Sequence, residues 1–147
     1  MKKLVLLSLV CGGFVTSVHA QNDKDLWKPA TESSLSQKAR NEFGSHFKPS
    51  AYKFFSLKED QLKSNLVATP SEKSTAISRS GKIISIPNAE GKLEQFRITE
   101  TSVMAAGLAA KYPGIKTYTG QGIEDKTAKL YFDVNPNGFH GMVTSAS

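Results

Sequence analysis

The sequence has almost no cysteine. Its single cysteine, Cys11, lies within the first twenty residues, and the rest of the chain contains none. A disulfide needs two thiols, and thiolates are the nucleophilic and zinc-binding form of cysteine. The part of the chain after residue 20 is therefore predicted to have no disulfide framework, no thiolate nucleophile and no thiolate zinc ligand.

Long apolar runs and catalytic signatures are also missing. The longest apolar run, Leu4–Val18, is interrupted by glycine and hydroxyl residues, and it is shorter than the ~20 residues that a membrane-spanning helix needs. The sequence contains neither an H-E-x-x-H metallopeptidase motif nor a G-x-S-x-G nucleophile motif, and it has no internal repeat. The chain is therefore predicted not to be an enzyme by itself.

The first twenty residues have the pattern of a secretory signal peptide. Two lysines at the start are followed by the apolar run Leu4–Val18, and Val18 and Ala20 are the small residues that precede a cleavage site. We expect cleavage between Ala20 and Gln21. The remainder is predicted to be secreted, with no membrane attachment after the signal is removed.

The charge balance argues against nucleic-acid binding. Without the two lysines of the signal, 17 of the 19 basic residues remain against 13 acidic ones, a net charge of about +4. The basic residues are scattered among the acidic ones and form no stripe with interleaved aromatics, so they indicate a solvated surface. The content of 39% apolar and 22% charged residues is typical of a globular domain.

The exported part is predicted to consist of two regions. Residues 21–50 have the pattern of an amphipathic or linker segment, and residues 51–147 have that of a small β-rich domain. In the first region, Leu35, Ala39 and Phe43 recur at helical spacing before Gly44 ends the pattern.

The second region begins with a strand and a helix. The aromatic run Tyr52–Leu57 predicts the strand. Ser56 and Glu59 then match a capping box that would start the helix, in which Leu62 and Leu66 share one face until Pro70 ends it. The polar residues 71–81 are predicted to be a loop.

A hairpin and another helix follow. Lys82–Pro87 and Leu93–Glu100 are predicted to pair through a loop at residues 88–91, with Phe96 and Ile98 on one face. A helix capped by Thr101 or Ser102 is then predicted. Its inward face would consist of Val103, Met104, Leu108 and the alanines. Pro113 would end this helix.

The sequence from Ile115 onward predicts three more strands. The first, from Ile115 to Thr119, would end at Gly120-Gln121-Gly122. Lys129–Val134 alternates apolar and polar residues, and after the turn at residues 135–138 Phe139 begins the returning strand. Together the patterns predict an α+β fold, mainly an antiparallel β-sheet with two or three short helices, in one small domain after a signal peptide.

Three chemical motifs in this region are incomplete. The Gly120-Gln121-Gly122 run lacks the third glycine of a phosphate loop, since Asp125 holds its place. Residues 133–138 match the start of a calcium loop, but Thr144 replaces the glutamate at its twelfth position. His140 has only His46 as a second histidine in the exported part, so the sequence predicts a structural role for it and no metal or other cofactor in this chain.

Several segments resemble the N-terminal pro-region of secreted bacterial reprolysin-like zinc metallopeptidases. The resemblance covers most of residues 27–143, and its most specific part is Lys111–His140. Upstream, it rests on Phe55-Ser56-Leu57, Leu62, Leu66, Ala68 and Pro70. The further segments that carry it are Phe96-Arg97-Ile98-Thr99-Glu100, Ser102-Val103-Met104, Leu108-Ala109, Lys111-Tyr112-Pro113, Ile115-Lys116-Thr117-Tyr118, Gly120-Gln121-Gly122 and Asn137-Gly138-Phe139-His140.

The resemblance implies a zymogen whose catalytic domain is not in this sequence. The partner would be that catalytic domain in cis, and zinc would be bound there alone. The chain stops at Ser147 in what the pattern indicates is the middle of a strand, so we expect a truncated pro-domain or fragment. It would assist folding or hold the peptidase latent; a free-standing secreted binding or adhesion module is the alternative.

Latency requires the catalytic zinc or the substrate cleft to be covered. Without cysteine, the residues that could reach the zinc are Glu124 and Asp125, before the last hairpin, and His140. The other route is steric cover of the cleft by an extended strand. Because strand and turn formers dominate this part of the sequence, we expect steric cover.

Overall fold

The computed structural model describes residues 25–37, 40, 41 and 52–146. The signal peptide, its cleavage point at Ala20 and Gln21, and two of the three residues of the first predicted helix stripe, Ala39 and Phe43, lie outside these residues. The elements in chain order are β1 (Trp27–Ala30), β2 (Phe54–Leu57), α1 (Glu59–Leu66), β3 (Ile83–Pro87), β4 (Leu93–Thr101), α2 (Ala106–Lys111), β5 (Lys116–Gly122), β6 (Lys129–Asn135) and β7 (Gly138–Thr144).

The strands form two antiparallel sheets. β1 pairs with β2, and the other five pair in chain order as β3-β4-β5-β6-β7. Short 3-10 helices at Glu32–Ser34 and Ile77–Arg79 complete the described elements. The predicted α+β fold, with mainly antiparallel sheet and two short helices in one small domain, is confirmed.

One face of the five-stranded sheet, here called the inner face, carries the core. In the register, Ile84 lies opposite Phe96, and Tyr118 lies opposite Phe132 with the two rings stacked at 4.7 Å. This is the result of strict apolar alternation, because successive side chains of a strand point to opposite faces. The buried core consists of Leu26, Leu62, Leu66, Ile84, Ile86, Phe96, Ile98, Tyr118, Ala128, Leu130, Phe132 and Val134.

Burial also changes the acidity of one core side chain. Desolvation, with a smaller contribution from the Glu100 carboxylate, raises the pKa of Tyr118 to about 12. The phenol is protonated at neutral pH, as that of an ordinary tyrosine is, and its ring serves as part of the core.

Trp27 in β1 contacts both edge strands of the large sheet. Its indole N–H donates to the Ser85 carbonyl of β3 at 2.8 Å, and its ring packs edge to face on Phe139 of β7 with the centroids 5.4 Å apart. Since β3 and β7 are opposite edges of the sheet, the sheet must curl until both edges reach one side chain. β1 was not predicted from the sequence, and it lies within the segment 21–50.

The helix α1 joins the core through the predicted residues. Leu62 and Leu66 are buried on one face, and the helix ends at Leu66, before Pro70. The predicted capping box is wrong: β2 continues through Ser56, the residue before the helix is Lys58, and no side chain caps it. Pairing of Ser56 with Lys28 of β1 holds its backbone in a strand.

The prediction for the second helix is wrong in its start and its orientation. β4 continues to Thr101, and α2 spans only Ala106–Lys111 with no buried residue. Val103 is 75% exposed and Leu108 is 48% exposed. Pairing of Thr101 with Thr117 extends β4 through the first predicted cap residue, so the helix begins only at Ala106.

β5 ends at Gly122, within the predicted glycine run, and Gly120 and Gly122 are themselves part of the strand. A Cβ at Gly120 would lie 3.0 Å from Leu130, and one at Gly122 would lie 3.0 Å from the Ala128 side chain and overlap the Asp125 carbonyl oxygen. The glycines therefore let β6 and the loop before it approach the inner face closely.

The last hairpin is confirmed. Leu130, Phe132 and Val134 are buried on one face of β6, and Gly138 after the turn has a φ of +121°, which glycine tolerates best. All seven residues of β7 pair with β6, and the strand ends at Thr144. The prediction that the strand is still unfinished at Ser147 is therefore wrong.

Candidate functional site

A groove with a volume of about 960 Å³ lies between the two sheets. Its walls are β2, the edge strand β3 with the loop that follows, and the opposite edge strand β7. We call it the edge groove. It exists because the sheet curls around Trp27, which brings β3 and β7 to the two sides of the same space.

The floor of the edge groove is apolar and rich in aromatic rings. Trp27, Phe55, Ile86 and Phe139 line it together with Leu130. The Phe139 ring lies along its own strand, because a Cβ at Gly141 would come within 2.9 Å of it. The absence of a side chain at Gly141 therefore makes room for that ring.

The geometry of the last hairpin determines which backbone groups of β7 are paired with β6. Asn135 lies opposite Gly138, so the loop between the strands has two residues. In such a hairpin the residues that flank the loop exchange hydrogen bonds, and hydrogen-bonded pairs then alternate with non-bonded pairs along the strands.

This alternation leaves one set of β7 backbone groups directed away from β6. His140 and Met142 belong to the hydrogen-bonded set, while Phe139, Gly141 and Val143 direct their N–H and C=O groups toward the outer edge. In the described part of the chain β7 pairs with β6 alone. The same three residues line the edge groove, so the groove combines an apolar floor with an unpaired strand edge.

Charged residues lie where the β3–β4 loop meets the edge groove. The side-chain amide of Asn88 donates to Glu94 at 2.7 Å and to Glu90 at 3.2 Å. Lys53 lies on the same wall, and its Nζ is 3.6 Å from where a Cβ at Gly91 would be. Among the described residues that line it, two carboxylates against one ammonium make this end of the groove net negative.

The structure assigns Asp125 a structural role. Its carboxylate accepts hydrogen bonds from the Ser145 hydroxyl at 2.5 Å and from the Thr127 hydroxyl and backbone N–H at 2.6 and 2.8 Å. These bonds, first that of Ser145, lower the pKa of Asp125 to about 2. One carboxylate oxygen thus bonds Thr127 within the β5–β6 loop, and the other holds that loop to Ser145, the residue that follows β7.

Glu124 and His140 lie apart from each other. One Glu124 oxygen accepts the backbone N–H of Gln95 at 3.3 Å, at the start of β4. His140 lies on the outer face, 3.5 Å from the Asp133 carboxylate and 3.3 Å from the Asn135 amide. The amide of Asn135 also donates to Asp133 at 2.6 Å, so two residues of the calcium-like motif are bonded to each other.

An exposed apolar patch surrounds His140. It contains Val103, Tyr131 and Met142, of which Tyr131 and Met142 are direct partners across β6 and β7. Met142 is 59% exposed. This outer patch and the edge groove lie on opposite faces of the same hairpin.

The three predicted inhibitory contacts are therefore not brought together, and none of them lines the edge groove. Sequence reasoning missed Trp27, Phe55 and Glu94, which do line it. The signal that was present is the alternation of Phe139, Gly141 and Val143, which marks one side of β7. No local pattern indicates that a distant tryptophan faces that side.

The described residues contain no group of three or more His, Cys, Asp or Glu side chains that could hold a metal ion. In the same part of the chain, no helix is long and apolar enough to cross a membrane. Comparison of the chain with protein-family models, curated proteins and solved structures gives no significant match. The resemblance to metallopeptidase pro-regions thus stays a prediction.

Proposed function

We propose that this chain is a non-catalytic, polypeptide-binding pro-domain of a secreted zinc metallopeptidase. The observation that carries the proposal is the edge of β7 beside the apolar edge groove, which no strand of the described residues pairs with. Exposed strand edges bind extended segments through main-chain hydrogen bonds, and adjacent pockets take alternate side chains. The resemblance of Lys111–His140 to such pro-regions supports the choice of partner.

The partner is the catalytic domain of the peptidase, acting in cis, and latency results from steric cover. The Asp125 oxygens are already occupied by hydrogen bonds within the chain, and His140 is on the face away from the groove. Both observations favour cover of the peptidase by strand pairing over direct ligation of its zinc. Zinc and the catalytic residues belong to the peptidase.

The test is inhibition in trans of zinc metallopeptidases secreted by the same organism, prepared without their pro-regions. The chain from Gln21 onward should inhibit one of them. Val143→Pro removes the outward N–H without a loss of pairing to β6, and it should weaken inhibition at least tenfold, about 1.4 kcal/mol. Val143→Thr keeps the N–H and the branched shape and is the matched control.

The zinc-ligation route is tested in the same titration with Glu124→Ala, Asp125→Ala and His140→Ala. Each should weaken inhibition by less than about threefold, with folding checked by circular dichroism. A loss of a hundredfold or more from one of them, about 2.7 kcal/mol, would contradict steric cover. Absence of inhibition with every peptidase would contradict the pro-domain assignment.

A free-standing secreted binding or adhesion module is the second candidate. The outer patch of Val103, Tyr131 and Met142 favours it, because exposed apolar patches often mark interaction surfaces. Peptide binding by the edge groove without inhibition of any peptidase would support this function.

A further inference from the structure

We infer that the edge groove binds an extended segment that pairs with β7 and places an arginine or lysine side chain against Glu90 and Glu94. The inference rests on the proposed polypeptide binding and specifies which polypeptides the groove accepts. Three features of the groove select such a segment: the backbone edge, the apolar floor and the charge at one end.

The backbone edge selects an extended polypeptide. Phe139, Gly141 and Val143 present donor and acceptor groups at every second residue, a repeat that another β-strand matches with its own N–H and C=O groups. From Phe139 to Ser145 the groove follows β7 for about 20 Å at the ~3.4 Å rise of a strand. A segment of about six or seven residues fills that length.

The floor selects alternate apolar side chains. Side chains of the added strand that point inward would contact Phe139, Phe55 and Ile86, while those between them would point to solvent. The described groove residues on this floor carry no charge. A segment with alternating apolar and polar residues therefore fits, and a uniformly charged one does not.

The charge at the β3–β4 loop selects a cation. Asn88 occupies one acceptor position on each of Glu90 and Glu94, and an ionised carboxylate has about four such positions. The two carboxylates therefore keep acceptor capacity for a guanidinium, which can bind them in a fork. Among the described lining residues, Glu90 and Glu94 outnumber Lys53 at this end of the groove, which is therefore net negative although the whole chain has a net charge of +6, so a basic residue complements it.

The cation would lie at the end of the bound segment nearest Ser145. Register pairs Ile83 with Arg97, Arg97 with Gln121, Gln121 with Lys129 and Lys129 with Thr144, so β3 and β7 run in the same direction, and the β3–β4 loop and Ser145 lie at the same end of the sheet. Because β7 runs toward Ser145, this is the amino end of a segment bound antiparallel to β7 and the carboxyl end of a parallel one. Peptides with the cation at either end therefore report the direction of the added strand.

The test is fluorescence polarisation with labelled peptides of about seven alternating valine and threonine residues. In each peptide one terminal residue, at the amino end or at the carboxyl end, is replaced. The replacement is arginine, its uncharged isostere citrulline, or glutamate. We expect one arginine peptide to bind at least tenfold more tightly than its citrulline counterpart. Glu94→Gln should reduce this preference to less than threefold, while Glu124→Gln, a carboxylate outside the groove, should leave it unchanged.

The outcomes separate this inference from the proposed function. Equal binding of the arginine, citrulline and glutamate peptides, abolished by Val143→Pro but not by Val143→Thr, would overturn the charge selectivity and leave polypeptide binding standing. No binding of any peptide would overturn both. Self-association in sedimentation that Val143→Pro abolishes would assign the edge to a second copy of the chain and would also overturn the inference.

Discussion

Gly122 shows how a single missing side chain fixes the end of a strand. Its N–H donates to the Ala128 carbonyl at 3.0 Å, which closes the loop between β5 and β6. A side chain there would overlap the Asp125 carbonyl oxygen. The sequence pattern was interpreted as a strand end because glycine breaks the alternation; the actual constraint is close approach of a loop.

Gly122→Ala should therefore lower the free energy of unfolding by about 2 kcal/mol through overpacking. Gly81→Ala is the matched control, since a Cβ at Gly81 would meet nothing within 4 Å. The control should change stability by less than about 0.5 kcal/mol or increase it slightly. Urea denaturation measures both, and equal effects of the two substitutions would contradict the close-approach argument.

The pKa of Asp125 predicts how the stability of the chain depends on pH. Its pKa is about 2 in the folded chain against 3.8 for an ordinary aspartate. Because the folded pKa is lower, the contribution of Asp125 to stability is present above pH 3.8 and is lost as the pH falls toward 2.

Asp125→Asn should accordingly be less stable than the native chain at pH 7, and the difference should shrink between pH 4 and pH 2. Thermal unfolding across this range measures it. Glu124→Gln controls for the loss of one negative charge from the same loop. If the stability difference between Asp125→Asn and the native chain were as large at pH 2 as at pH 7, the hydrogen bonds of the ionised carboxylate would not account for it.

At the scale of elements, β1 connects the two edges of the large sheet through Trp27. Trp27→Ala should lower the free energy of unfolding by about 3 kcal/mol, since it removes a ring packed on Phe139 and a hydrogen bond to Ser85. Trp27→Phe keeps a ring and loses the hydrogen bond, so it should cost about 1 kcal/mol.

Tyr112→Ala is the control for these two substitutions, because Tyr112 is an aromatic residue that is 53% exposed on the surface. It should change stability by less than about 0.5 kcal/mol. If Trp27→Ala were no more destabilising than Tyr112→Ala, Trp27 would not hold the sheet in its curled form.

The elements that the sequence predicted correctly are those whose signal is local. The hairpins β3–β4 and β6–β7 follow from alternation and from turn residues such as Pro136 and Gly138. β1 has no such signal, since Lys28 and Pro29 interrupt any alternation. The second helix was overpredicted because strand pairing extends β4 through Thr101, a tertiary effect that propensity does not contain.

At the scale of the whole molecule, the edge groove results from the curvature of the five-stranded sheet. The sequence predicted that the returning strand begins at Phe139, but it did not indicate that β3 and β7 approach the same tryptophan. It placed the candidate contacts at Glu124, Asp125 and His140, because polar side chains are visible in a sequence and an unpaired backbone edge is not. The edge groove depends on the register of five strands at once.

The central claim is that Phe139, Gly141 and Val143 form an open pairing edge. Residue-resolved amide hydrogen exchange along β7, with and without the arginine peptide, tests it most directly. In the free chain these three amides should exchange at least tenfold faster than those of His140 and Met142, and the peptide should slow them at least tenfold. Slow exchange of Gly141 and Val143 in the free chain, or no slowing by a bound peptide, would contradict the claim.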